Sequence, residues 1–126
     1  MERIFFACGA ISACIAVALG ALGSHALKHQ LDANMLTVFE IGVRYQMYHA
    51  LALIGAGLAY AKWPGKLMRA GGWLFIAGTL LFSGSLYQLS LTGTKSLGIV
   101  TPIGGGLWLA GWLCIAIGAL KYRENR

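Results

Sequence analysis

Nineteen consecutive residues, Ile4 to Leu22, contain no charge and a single hydroxyl, that of Ser12. A run of this length has few places to fold in water. As a helix it measures close to the roughly 30 Å of a bilayer's hydrocarbon core, which takes about 20 apolar residues to cross. Three more apolar runs follow, at about 43–61 (with a polar end at Arg44 to His49), 70–89 and 98–120. Only 11% of the chain is charged, and its mean hydropathy is +0.69. Soluble domains carry roughly 25% charged residues, so this chain cannot cover a water-facing surface. The expectation is a single all-α domain over residues 1–126, an integral membrane bundle of four transmembrane helices. The first run has some features of a signal peptide, with Arg3 before it and Ala21-Leu22-Gly23 at its end. It is long for the apolar region of such a peptide, and it is read as a retained signal anchor.

The net charge of +6 would suggest nucleic acid on a soluble protein. Here the basic residues stand in short clusters between the apolar runs and act as topology signals. Arg3, Lys62, Lys66, Arg69, Lys121, Arg123 and Arg126 fall on one side of a four-span arrangement, and Lys28, Arg44 and Lys95 on the other. The positive-inside rule then places both termini in the cytoplasm. Cys8, Cys14 and Cys114 all lie inside apolar runs, with no Cys-x-x-Cys pair, so they read as small apolar residues rather than a disulfide or zinc framework.

The first external connection, about 24–42, is patterned. Ala26, Leu27, Leu31, Met35, Leu36, Val38 and Phe39 are spaced for one helix face, with polar residues between them. It reads as an amphipathic helical segment at the outer interface, with a break near Asp32-Ala33-Asn34, feeding into the second span. Small residues recur every seven positions in three spans: Gly9, Ala16 and Gly23; Gly71, Gly78 and Ser85; Gly104, Gly111 and Gly118. Seven residues is nearly two turns, so each set forms a stripe along which a neighbouring backbone can approach closely.

The chemistry, if there is any, concentrates between Glu40 and His49. Glu40, Arg44 and Tyr48 form one i, i+4, i+8 stripe, with Glu placed favourably before Arg for an ion pair. Tyr45 and His49 form a second pair on an adjacent face, and Gln46 is expected to point elsewhere. Ionisable residues within a span are expensive unless paired or hydrated. The third span offers Ser83, Ser85, Tyr87 and Gln88 as partners at similar depth, and Thr101 opens the fourth. The polar groups therefore gather in the outer half of the bundle. His25 and His29 stand at i, i+4, but without a Glu-x-x-His pattern they read as interfacial residues rather than metal ligands. Gly104-Gly105-Gly106 lacks the Lys-Ser/Thr of a phosphate loop. No nucleophile or acid/base arrangement stands out, and no cofactor is expected.

Four segments taken in order resemble a known family. They are Gly20-Ala21-Leu22-Gly23-Ser24-His25-Ala26-Leu27, Tyr45-Gln46-Met47-Tyr48-His49-Ala50-Leu51, Phe82-Ser83-Gly84-Ser85-Leu86-Tyr87 and Thr101-Pro102-Ile103-Gly104-Gly105. The chain is similar throughout to the small membrane proteins that include bacterial YgdD and animal transmembrane protein 256. The resemblance implies about four spans and, in bacteria, an inner-membrane location, and it carries over no catalytic residue. Its motif residues coincide with the polar set: His25, Tyr45, Gln46, His49, Ser83, Ser85 and Tyr87. The expected function is non-enzymatic, with a structural, lipid-binding or partner-binding role. Membrane lipids are the expected partners, a homo-oligomer is plausible, no nucleic acid is expected, and no soluble partner is known. The alternative is a small transporter or proton-coupled carrier working through Glu40, Arg44 and His49.

Overall fold

A computed structural model describes residues 1–124. They form four long helices: α1 (Glu2–Ser24), α2 (Ala33–Lys62), α3 (Lys66–Thr92) and α4 (Val100–Lys121). Short 3-10 turns at Leu27–His29 and Lys95–Ile99 lead into α2 and α4. Arg126, one of the charges read as a topology signal, lies outside the described residues.

Local chemistry sets the boundaries. Asp32 caps α2, its Oδ1 accepting a hydrogen bond from the Met35 N–H at 2.8 Å. That satisfies one of the four N–H groups a helix start leaves free. The Trp63-Pro64-Gly65 turn separates α2 from α3. Gly93 ends α3 at φ 71°, a left-handed conformation that glycine adopts without steric cost. Pro102 occupies the first turn of α4, where its missing N–H removes no intrahelical bond.

Residues 24–42 divide at Asp32. The first part holds the Leu27–His29 turn, and the second is the opening of α2. Once capped, α2 has no break before Lys62, so the amphipathic stretch and the second apolar run share one axis of about 45 Å at 1.5 Å per residue.

The helices pack as antiparallel neighbours in chain order. The α1–α2 register runs through Gly23 against Phe39, Gly9 against Ala50 and Ile54, and Gly57 against Glu2 and Phe6. The α3–α4 register runs through Gly104 against Phe82, Gly78 against Trp108, Gly71 against Gly111 and Ile115, and Gly118 against Met68. The seven-residue stripes are thus the packing faces: Gly9, Ala16, Gly23, Gly71, Gly78, Ser85, Gly104 and Gly111 are all buried. The approach is close. A Cβ added to Gly9 would stand 2.7 Å from the Ala50 carbonyl oxygen, and one on Gly57 would stand 2.7 Å from that of Glu2. At Gly104 it would meet the Phe82 backbone. With no hydrophobic effect between helices in lipid, such contacts hold the bundle together.

Three stretches meet the length and hydropathy needed to cross a bilayer: Glu2–Ser24, Lys66–Thr92 and Lys95–Lys121, with hydropathies of 2.3, 1.4 and 1.8. The remaining helix, α2, is the longest. It lies against α1 from end to end, and its polar residues Gln46 and His49 are buried. Its lower apolarity comes from both sides, from buried Gln46 and His49 and from exposed Glu40, Arg44 and Tyr48. Met1 and Lys121 fall at the same end of the bundle. The surface around the helices is apolar, with Ile11, Val17, Leu80, Leu109 and Leu120 more than half exposed.

Candidate functional site: a buried polar network beside a lateral groove

Gln46 is the hub. The sequence pattern turned it away from the site, but the structure turns it into the α1–α2–α3 junction, 5% exposed. Its Nε2 donates to the Ser12 carbonyl at 2.9 Å and to the Ser12 hydroxyl at 3.3 Å. Its Oε1 accepts from the Tyr87 hydroxyl at 2.6 Å. One amide thus ties three helices together. The i, i+4 pattern pairs Tyr45 with His49 and leaves Gln46 outside both pairs. Gln46, one residue beyond Tyr45 and three before His49, points to α1, where the single polar interruption of the first apolar run was waiting.

His49 sits deeper along α2, 7% exposed. Its Nδ1 lies 2.8 Å from the Tyr45 carbonyl oxygen, and the Trp112 indole N–H donates to its Nε2 at 3.1 Å. A carbonyl only accepts and an indole N–H only donates. The ring is therefore held as the neutral tautomer with hydrogen on Nδ1. It also lies flat on Trp108, with centroids 3.8 Å apart and planes 2° apart. Tyr45 continues the aromatic layer, stacked on Phe82 at 5.3 Å and on Trp108 at 6.1 Å. The sequence carried a signal for these tryptophans: Trp108 and Trp112 fall mid-helix, whereas membrane tryptophans favour the interfaces.

Two further bonds complete the network. The Ser83 hydroxyl donates across to the Gly42 carbonyl of α2 at 2.7 Å. The Ser85 hydroxyl donates to the Phe82 carbonyl at 2.9 Å, so Thr101 of α4 is the donor in their 2.6 Å contact. Among the described residues, every buried side-chain nitrogen and oxygen has a hydrogen-bond partner. In hydrocarbon such closure matters, because an unsatisfied polar group finds no water to replace the missing bond.

The other expected site residues lie apart. Glu40, Arg44 and Tyr48 form their stripe on the exposed side of α2. Glu40 and Arg44 line a cavity of about 260 Å³ with Gly20, Gly23, Ser24, Phe39 and Val43, away from Gln46 and His49. His25 is exposed at the end of α1 and does not reach the network. Among the described residues, no three His, Cys, Asp or Glu side chains gather as a metal site. Cys8, Cys14 and Cys114 are free thiols.

Beside the network, a groove of about 390 Å³ runs between α1 and α3 over α2. Its floor carries Ser12, Gln46, His49, Ser83 and Tyr87, and its walls are mainly aliphatic. Its rim residues Ile11, Ile15 and Leu80 are 61%, 48% and 70% exposed, so it opens sideways from the bundle. On the far side of His49, a second groove of about 540 Å³ is lined by Tyr45, Phe82, Trp108 and Trp112.

A family described as "Protein of unknown function (DUF423)" matches residues 19–105, a stretch that includes Gln46, His49 and Tyr87. The chain belongs to the DUF423 family. Curated relatives similar to the chain are described as UPF0382 membrane proteins. The chain is 43% identical over 121 residues to YwdK of Bacillus subtilis, covering 95% of this chain and 98% of that one. It is 42% identical over 119 residues to a protein of Staphylococcus saprophyticus, covering 94% and 98%. It is 37% identical over 124 residues to one of Haemophilus influenzae, covering 98% and 99%. No solved structure matches the chain. This DUF423 protein is therefore a multi-pass membrane protein.

Proposed function

We propose that the protein is a non-enzymatic lipid-binding component of the bacterial inner membrane. In this reading the polar network fixes the bundle, and the groove between α1 and α3 holds the hydrocarbon chain of a membrane lipid. The observation that carries the proposal is the position of the groove. It follows α1 from Cys8 to Leu19, a rise of about 16 Å, roughly half the hydrocarbon thickness and so the depth of one leaflet's chains. Its volume falls within the range of small-molecule sites, and its open side faces acyl chains. The closed network beneath supports a holding role over a reactive one, since it presents no nucleophile with a base.

A carrier built on Glu40, Arg44 and His49 has less support. The two charged residues line a different cavity from His49, and the His49 ring has both nitrogens committed. The charge distribution supports cytoplasmic termini, and a C-terminal reporter active only in the cytoplasm tests that. We infer that the family that includes YgdD and transmembrane protein 256 is this same one.

Filling the groove tests the main proposal. Ile11→Trp and Leu80→Trp place an indole over its open side. Protein purified in mild detergent should carry co-purified phospholipid, read by mass spectrometry after extraction, and the double variant should lose most of it. Equal lipid in the two preparations would remove the groove as a binding site.

A further inference from the structure

The end of the bundle that carries Met1 and Lys121 holds another concavity, of about 530 Å³, remote from the polar network. Its walls are the Trp63-Pro64-Gly65 turn, the first residues of α3, and the end of α4 with the chain just beyond it. Lys66, Lys121 and Arg123 bring three cationic side chains to it, Trp63 and Tyr122 bring two amphipathic aromatics, and among the described residues no acidic side chain lines it.

The neighbouring cations at this end are differently placed. Lys62 lies 5.2 Å from the centre of the Trp63 ring, and Arg69 donates to the Tyr60 hydroxyl at 3.2 Å. The pocket's own three cations repel one another, and an anion among them relieves that repulsion at a membrane edge where screening is incomplete. The lower wall is apolar, formed by Leu67, Met68 and Gly118. On α4, Ile117 stands one turn before Lys121 on the same side of the helix, and with Leu113 and Leu120 it forms an apolar face exposed by 40%, 62% and 86% respectively. A cationic cup that opens onto an apolar helix face has the polarity profile of an anionic amphiphile. Trp and Tyr at the rim are the residues that settle at headgroup depth.

We propose that this pocket binds the phosphate headgroup of an anionic phospholipid, with the acyl chains lying along the exposed face of α4. The ligand is a lipid rather than a free anion because the charge and the apolar surface are contiguous. Lys66 and Lys121 pair with the phosphodiester, Arg123 closes the rim, and Trp63 and Tyr122 flank the glycerol region.

Native mass spectrometry of the full chain tests this, with phosphatidylglycerol and phosphatidylcholine of matched chains added to the delipidated protein. The wild type should prefer phosphatidylglycerol by about tenfold, as several basic groups near one headgroup imply. K66Q/K121Q should reduce the preference to about threefold or less, and K66R/K121R should retain it. K28Q/K95Q, which removes equal charge from the opposite end, should leave it unchanged. Circular dichroism and gel filtration check that the variants are folded, and K121Q alone serves if the double variant is not. Equal binding of the two lipids by the wild type would overturn the proposal. So would a preference indifferent to K66Q/K121Q, or one lost equally in K28Q/K95Q. Displacement of phosphatidylglycerol by excess inorganic phosphate would reassign the pocket to free anions.

Discussion

The two ends of the bundle are held together by different physics. Toward Met1 and Lys121, Phe5, Leu53, Ala56 and Phe75 pack with Trp108 in an apolar cluster, and Gly57, Gly71 and Gly118 bring backbones together. Toward the α1–α2 connection, Gln46, Tyr87, Ser83, Ser85 and Thr101 join the helices by hydrogen bonds. Close packing in lipid is steep in distance, because a single added carbon meets backbone that cannot move. Hydrogen bonding in lipid is more forgiving, since a freed group in the unfolded chain also finds partners. The apolar half should therefore respond most to size, and the polar half to chemistry.

Substitutions sharpen this contrast. The largest effect is expected from Gly9→Leu, which drives a side chain into the Ala50 backbone. A loss of about 3 kcal/mol or failure to accumulate, read by thermal unfolding in micelles, is the expected result, and wild-type stability would contradict the packing. Next comes Gln46→Leu, which takes the acceptor from the Tyr87 hydroxyl and removes both bonds to Ser12 of α1. It should cost about 2 kcal/mol, and a Tyr87→Phe change added to it should cost less than the same change in the wild type. His49→Phe keeps an aromatic ring on Trp108 and removes the acceptor of Trp112. About 1 kcal/mol is expected, with a shift in Trp112 fluorescence, and unaltered fluorescence would place Trp112 elsewhere. Smallest is Ser85→Ala, about 0.6 kcal/mol. A cost for Ser85→Ala equal to that for Gly9→Leu would erase the distinction between the two halves.

Much of this was legible before any coordinates. The apolar runs announce the helices because hydropathy over about 20 residues is the dominant constraint in lipid. The seven-residue glycine stripes announce the contact faces because they allow what larger residues forbid. The start of α2 was harder to read. Amphipathic and apolar segments share the helical period, so only the Asp32 cap distinguishes a new helix from a separate interfacial one. The network itself was half legible. Ser83, Ser85, Tyr87 and His49 were named from their shared depth, but depth does not give azimuth. One position moves a side chain by 100° around the axis, so the i, i+4 pairs that join Glu40 to Arg44 and Tyr45 to His49 leave Gln46 unplaced. Ser12, Trp108 and Trp112 escaped because their segments speak through hydropathy and small-residue spacing, where an isolated serine or a mid-span indole counts for little.

The inward polarity of α2 also bears on how the protein enters the membrane. Helices judged one at a time by the insertion machinery partition according to their own hydropathy, and α2 is the least apolar of the four, with buried Gln46 and His49 near its middle. Its first partner, Ser12, is on the helix made just before it. The α1–α2 hairpin, rather than the single helix, is then the unit that inserts. Deleting α1 should leave α2 outside the bilayer in a glycosylation-mapping assay, and insertion of α2 without α1 would show that it crosses unaided. On this account the glutamine that locks the finished bundle first acts as a handhold during synthesis, making the order of the helices in the chain part of how the fold is reached.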